Sequence, residues 1–180
     1  EKDTGIAPEL LTQISLTTLG QISIYRDLPV LSNLLKNLNK SLQVKSQKLE
    51  QTLFNCKFSN PIGLAAGLDK NGVAAGLWDQ FGFSHAELGT VTLHPQVGNS
   101  KPRLFRLAKE KAALNRMGFN NNGASILKKT LINQNIQKPG NRPISIGINL
   151  GKSKTTPNKN ASEEYLASLE ILGEYADYIV

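Results

Sequence analysis

The sequence predicts an α/β fold: parallel strand–helix units over residues 47–180, preceded by a helical region over residues 1–46. Apolar side chains recur at helical spacing in the first part of the chain. From residue 49 the period changes to alternation and short apolar runs. Beyond residue 60, strand-like and helix-like segments take turns, which is the order that builds parallel βαβ units.

Residues 8–24 (PELLTQISLTTLGQISI) place Leu11, Ile14, Leu19 and Ile22 roughly on one helical face, and Pro8 suits a first helical turn. In PVLSNLLKNLNKSL, Leu31, Leu34, Leu35, Leu38 and Leu42 form a second stripe. Packing of a helical hairpin explains both; Lys36, Lys40 and Lys45 beside the second stripe also suit a helix lying at a membrane surface. Phe54, Cys56 and Phe58 then alternate around a turn near Asn55, a short strand pair. IGLAAG reads as an apolar strand ending in glycine, NGVAAGLWDQFG as a helix and HAELGTVT as the next strand. LFRLAKEKAAL fits strand or helix equally. ASILKKTLINQ is a helix, ISIGINLG a strand, SEEYLASLEILGEYA a helix capped by Ser162, and DYIV the start of a strand.

These make about four strand–helix repeats, where a closed (β/α)₈ barrel needs eight and typically ~250 residues. The last residues, Tyr178-Ile179-Val180, fall inside an apolar strand. The expectation is therefore the first half of such a barrel, truncated at its C-terminal side.

Composition narrows the chemistry. With 39% hydrophobic residues in 180, the chain can bury a core. A single cysteine, Cys56, and two separate histidines, His85 and His94, offer neither a disulfide framework nor a metal-ligand set. The net charge of +7 is concentrated: residues 101–129 hold eight lysines and arginines against Glu110 alone. Such a surface is a solvated basic face or meets an anionic partner. Without interleaved aromatics or a known reading motif it does not point to nucleic acid.

Four motifs carry the candidate chemistry. In Gly63-Leu64-Ala65-Ala66-Gly67-Leu68-Asp69-Lys70-Asn71-Gly72, small residues at a strand's C-terminal end let a flat ligand approach the backbone, and Lys70 can reach an anionic or electron-rich one. A tight turn whose glycines serve packing is the alternative. In Gly89-Thr90-Val91-Thr92, Thr90 brings a hydroxyl to the corresponding end of the next strand. Asn115-Arg116-Met117-Gly118-Phe119-Asn120-Asn121-Asn122-Gly123 is a plain turn or a polar recognition loop. In Gly147-Ile148-Asn149-Leu150-Gly151-Lys152, Asn149 ends an otherwise apolar strand, where a buried amide needs a partner. Neither a Gly-x-Gly-x-x-Gly fingerprint nor a P-loop is present.

Together, the runs NPIGLAAGLDKNG, ELGTVT…PQVGNSKPRLFRL, NRMGFNNNG and GINLGKSK resemble the quinone-dependent (class 2) dihydroorotate dehydrogenases, from about Asn60 onward. Four motifs in the right order make this specific; the lysine of LDKNG and the run NRMGF favour class 2 over the cytosolic relatives. Leu93-His94-Pro95 stands where relatives often have Pro-x-Pro, in a loop not expected to touch the cofactor. The resemblance implies a (β/α)₈ barrel with FMN at its C-terminal face. It implies oxidation of dihydroorotate to orotate, with FMN as hydride acceptor and a membrane quinone as final acceptor, in pyrimidine synthesis. It further implies that residues 1–46 face a membrane, so that the protein is peripherally attached to a bacterial cell membrane or an inner mitochondrial membrane. By the same resemblance Ala66, Gly67, Leu68, Asp69, Lys70, Thr90 and Asn149 are cofactor-binding, and Lys70, Asn115, Arg116, Met117, Gly118 and Phe119 face the substrate. The catalytic serine is expected after Val180, so the 180 residues alone are expected to be inactive and to bind FMN weakly or not at all. A non-catalytic half-barrel and an FMN barrel with another substrate are the alternatives.

Overall fold

The computed structural model describes residues 8–180; the first seven residues of the expected helical region lie outside it. Helix α1 (Pro8–Ile24) comes first, and α2 (Pro29–Leu42) opens on Pro29, where a missing N–H costs nothing. The strand pair follows as β1 (Gln51–Leu53) and β2 (Cys56–Phe58), with Phe54 and Asn55 both at positive φ in the two-residue turn. Next come β3 (Gly63–Leu64), β4 (His85–Val91), β5 (Leu104–Leu107), β6 (Ala112–Asn115), α3 (Ala124–Asn133), β7 (Ser145–Leu150), α4 (Ala161–Leu172) and β8 (Tyr178–Ile179).

Strands β3, β4, β7 and β8 lie side by side in that order, all parallel. Their outer face buries Leu88, Ile146 and Ile148 under Leu127 and Leu131 of α3 and Leu172 of α4. On the inner face large and small residues oppose one another. A Cβ on Gly63 would lie 2.0 Å from the His85 ring, and one on Gly147 2.3 Å from the Tyr178 ring. Burial pushes the Tyr178 phenol up to about 12. The β1–β2 hairpin sits at the N-terminal end of these strands: Cys56 Sγ donates to Asp177 O (3.5 Å), Ser145 Oγ to Lys57 O (3.4 Å), and Phe58 meets His85 edge-on. Arg142 and Asp177 pair there, both nearly buried, and Asp177 also accepts the Ile146 N–H (2.7 Å). This is a partial α/β barrel, open at β3 and at β8.

Three expectations are corrected or resolved. The stretch NGVAAGLWDQFG is not an α-helix but a series of turns ending in a 3-10 turn, Trp78–Phe81. Gly72 and Gly82 take positive φ, and the Asp69 carboxylate captures the Val73 and Ala74 N–H groups. The space of a barrel helix is taken by α1 and α2 instead. Gly20 of α1 approaches the Val73 carbonyl so closely that a Cβ would stand 3.1 Å from it, Ser23 donates to Gln134 (2.6 Å), and Asn39 of α2 donates to Asp79 O (2.7 Å). The ambiguous 104–114 segment is an antiparallel hairpin, β5 with β6, pairing Leu104 with Asn115. Helix α4 begins at Ala161 rather than being capped by Ser162, because a 3-10 turn, Asn158–Asn160, leads into it without a side-chain cap.

Among the described residues no helix is long and apolar enough to cross a membrane, and no group of three or more His, Cys, Asp and Glu could hold a metal ion.

Candidate active site at the C-terminal ends of the strands

Parallel strands bring their C-terminal ends to one edge, and there the first, second and fourth motifs meet. After β3 the chain passes through Ala66 to Gly67, whose N–H donates to Gly89 O of β4 (2.7 Å). Gly67 has φ +107 and nothing within 4 Å of where a Cβ would stand, so its upper side is open. Thr90 donates from Oγ1 to Asn149 Oδ1 of β7 (2.6 Å), and Asn149 Nδ2 donates in turn to Glu87 Oε1 (3.0 Å). The half-buried amide thus has partners on both sides. Gly151 leaves room for this pair, since a Cβ there would lie 2.6 Å from Thr90 Cγ2.

Lys70 belongs to a second cluster. Its Nζ donates to Asn120 Oδ1 (2.7 Å), and the Asn122 N–H donates to Asn71 Oδ1 (2.9 Å), which joins the first motif to the third. Burial, and then the charge of Arg103, hold the Lys70 amine below its usual range. Leu68 is exposed between these clusters. Asp69 points the other way: fully buried, its carboxylate accepts Val73 N (2.8 Å), Ala74 N (2.9 Å) and Trp78 Nε1 (3.0 Å), so the side chain is committed to the loop.

The expected substrate-facing run leaves the hairpin at Asn115, whose side chain is exposed at the end of β6. The Arg116 N–H donates to Arg103 O (2.9 Å), and its guanidinium donates to Pro102 O. Met117 O accepts the Asn99 N–H (3.1 Å) and Gly118 O accepts Gln96 Nε2 (3.1 Å). Phe119, at φ +52, projects half-exposed. Asn121 is buried and holds the turn by accepting the N–H groups of Thr92 and Gly123.

Sequence reasoning missed the residue that anchors this loop. Arg103 is buried, donates to Val97 O (2.6 Å) and Asn99 O (3.0 Å), and is gripped at Nε and the terminal nitrogen by Glu9 of α1 (2.6 to 3.2 Å). Its position in a basic stretch concealed it, because only a partner 94 residues away distinguishes it from its neighbours. Glu87 was missed as well; its one visible signal was an acid set between Ala86 and Leu88 inside a strand.

Half of a βα barrel, with small residues, a hydroxyl, an amide and a lysine gathered at its C-terminal rim, has the ligand-site layout of a βα-barrel enzyme. The comparisons with known proteins make this specific. The dihydroorotate dehydrogenase family matches residues 48–180, and the chain belongs to that family. It is 57% identical over 178 residues to a dihydroorotate dehydrogenase (quinone) of Prochlorococcus marinus, covering 99% of this chain and 45% of that one. It is 50% identical to the corresponding protein of a Cyanothece strain, covering 93% and 44%. A crystal structure of DHODH from Eimeria tenella in complex with ferulenol superposes with a TM-score of 0.78 at 31% identity, covering 98% of this chain and 43% of that one. The chain thus spans a little under half the length of the relatives it matches.

Proposed function

We propose that this chain forms one wall of the FMN and dihydroorotate site of a quinone-linked dihydroorotate dehydrogenase. The observation that carries the reading is the family match across residues 48–180, together with relatives named for quinone. The residues fit the cofactor. A flat ring system needs a strip without side chains, which Ala66 and the open face of Gly67 provide, and polar groups at its edge, which Thr90 and Asn149 provide. Leu68 and Asp69 then contribute through the backbone, since the Asp69 carboxylate is already engaged. FMN, when bound, supplies the hydride acceptor.

The rest of the work falls to the chain. Lys70 is aimed by Asn120 and partly shielded from water, which strengthens its attraction for a carboxylate or for charge gathering on a reduced ring. The loop from Asn115 to Phe119 offers amide and backbone groups to the dihydroorotate ring. The exposed apolar residues of the helices, Leu10, Ile14, Val30, Leu34 and Leu42, lie with Lys36 and Lys40 in residues 1–46, which suits peripheral contact with an anionic membrane where a quinone dissolves. Residues 47–180 would form the barrel half. Because its sheet is open at β3 and β8, this chain by itself is proposed to be inactive, with the base supplied from outside these residues.

Lys70→Ala tests the site in the complete gene product. Its dihydroorotate–quinone turnover is expected to fall by about 10²-fold or more, the scale for losing one preorganised electrostatic group. Steady-state assay with a soluble quinone reads the effect, and undiminished turnover would remove Lys70 from the site.

A further inference from the structure

We infer that Glu87 is a positioning residue for Asn149, its carboxylate fixing which end of the Asn149 amide meets Thr90 and the ligand. The inference rests on the FMN-site reading above and adds to it a residue from inside the barrel.

Strand alternation sets the geometry. Glu87 lies across from Gly147, and Gly89 across from Asn149, on one face of the paired strands. Neither glycine carries a side chain, so the Asn149 amide has room to reach down to Glu87 (3.0 Å) and across to Thr90 (2.6 Å). A carboxylate only accepts hydrogen bonds. The amide nitrogen must therefore face Glu87, since turning the amide over would set carbonyl oxygen against carboxylate. With the nitrogen held below, the carbonyl faces Thr90 and accepts the hydrogen bond from its hydroxyl. The rim then shows a ligand a fixed pattern: one remaining Asn149 N–H, one carbonyl lone pair, and the lone pairs of Thr90.

The surroundings leave this task to Glu87. On the same face the His85 ring lies two residues before it on β4 and the Tyr178 ring covers Gly147 opposite it, and it forms no ion pair among the described residues. A half-buried carboxylate without a cation is costly to keep. Glutamine would be cheaper to bury, but it carries both a donor and an acceptor and so accepts either amide orientation. Stability and ligand binding therefore separate in Glu87→Gln, which a purely structural role would not allow.

The test is titration of FMN into the apo form of the complete gene product, read by quenching of flavin fluorescence, with thermal unfolding of the same samples. Glu87→Gln is expected to keep or raise the unfolding temperature while weakening FMN about fivefold, the equivalent of one ordinary hydrogen bond. Glu87→Ala is expected to weaken it about tenfold, and Glu87→Ala with Asn149→Ala no more than Asn149→Ala alone. Unchanged affinity in Glu87→Gln, or losses that simply add in the double variant, would overturn the inference. A wild-type protein that does not take up FMN would overturn the cofactor reading instead.

Discussion

Replacing Arg103 with alanine is expected to destabilise the protein by about 3 kcal/mol, because a buried guanidinium leaves Glu9 and two loop carbonyls together. Lys101, 3.4 Å from Glu9 Oε1, still gives that carboxylate a cation. Arg103 has only 7% of its side chain exposed and Glu9 18%, so solvent screening offers little relief. The loss also spreads. Arg103 holds the carbonyls of Val97 and Asn99; Asn99 holds Met117 through its N–H and Arg116 through its side chain (2.7 Å); and Arg116 returns its N–H to Arg103 O. Helix α1 is thereby tied to the loop proposed to face substrate. Glu9→Gln should be milder, because one neutral acceptor survives. It should also change the acid response. The hydrogen bond from Arg103 holds the Glu9 carboxyl below its ordinary value of 4.5. The folded pKa lies under the unfolded one, so the pair stabilises fully above about 4.5 and loses its contribution as pH falls through the folded pKa. Denaturant midpoints measured from neutral pH down through that range check both statements. An Arg103→Ala midpoint equal to wild type, or an unaltered acid slope in Glu9→Gln, would contradict them.

Asp69→Ala is expected to cost about 3 kcal/mol or more, since two buried donors and one part-buried donor lose one acceptor group together. The carboxylate takes the place of a helix that never forms: it satisfies Val73 and Ala74, whose N–H groups a continuous helix would have used, and steers Trp78 into the cluster with Leu64, Ala74, Ala86 and Ile144. Burial pushes its pKa up while these donors oppose the shift. Asp69→Asn should recover part of the loss, because its oxygen still accepts while its NH₂ faces a donor. Trp78 is the single tryptophan, so its emission reports this loop directly. Wild-type emission and stability in Asp69→Ala would refute the role.

Much of the fold was legible because it rests on local periodicity. The parallel strands, α3 and the turn at Asn55 all follow from short-range patterns. The segment between Gly72 and Gly82 was misread because its apolar residues and alanines suit a helix, whereas the determinants of its path are a buried carboxylate and a helix packed from the N-terminal region. The segment 104–114 could not be resolved, since only the pairing of Leu104 with Asn115 selects the hairpin. At the candidate site, the sequence pointed to Thr90 and Asn149 separately and the fold joins them. Asp69 shows the opposite limit: its place in the motif suggested a ligand contact, while its side chain serves the protein interior. Arg103 and Glu87 act through partners far along the chain, which no local pattern displays.

The most direct test of the central claim is anaerobic addition of dihydroorotate to the FMN-loaded complete gene product, followed through the flavin absorbance band. Bleaching of the yellow band on mixing, reversed by a quinone and strongly slowed in Lys70→Ala, is the expected result. A bound flavin whose spectrum dihydroorotate leaves unchanged would contradict the assignment of these residues to a dihydroorotate-oxidising site.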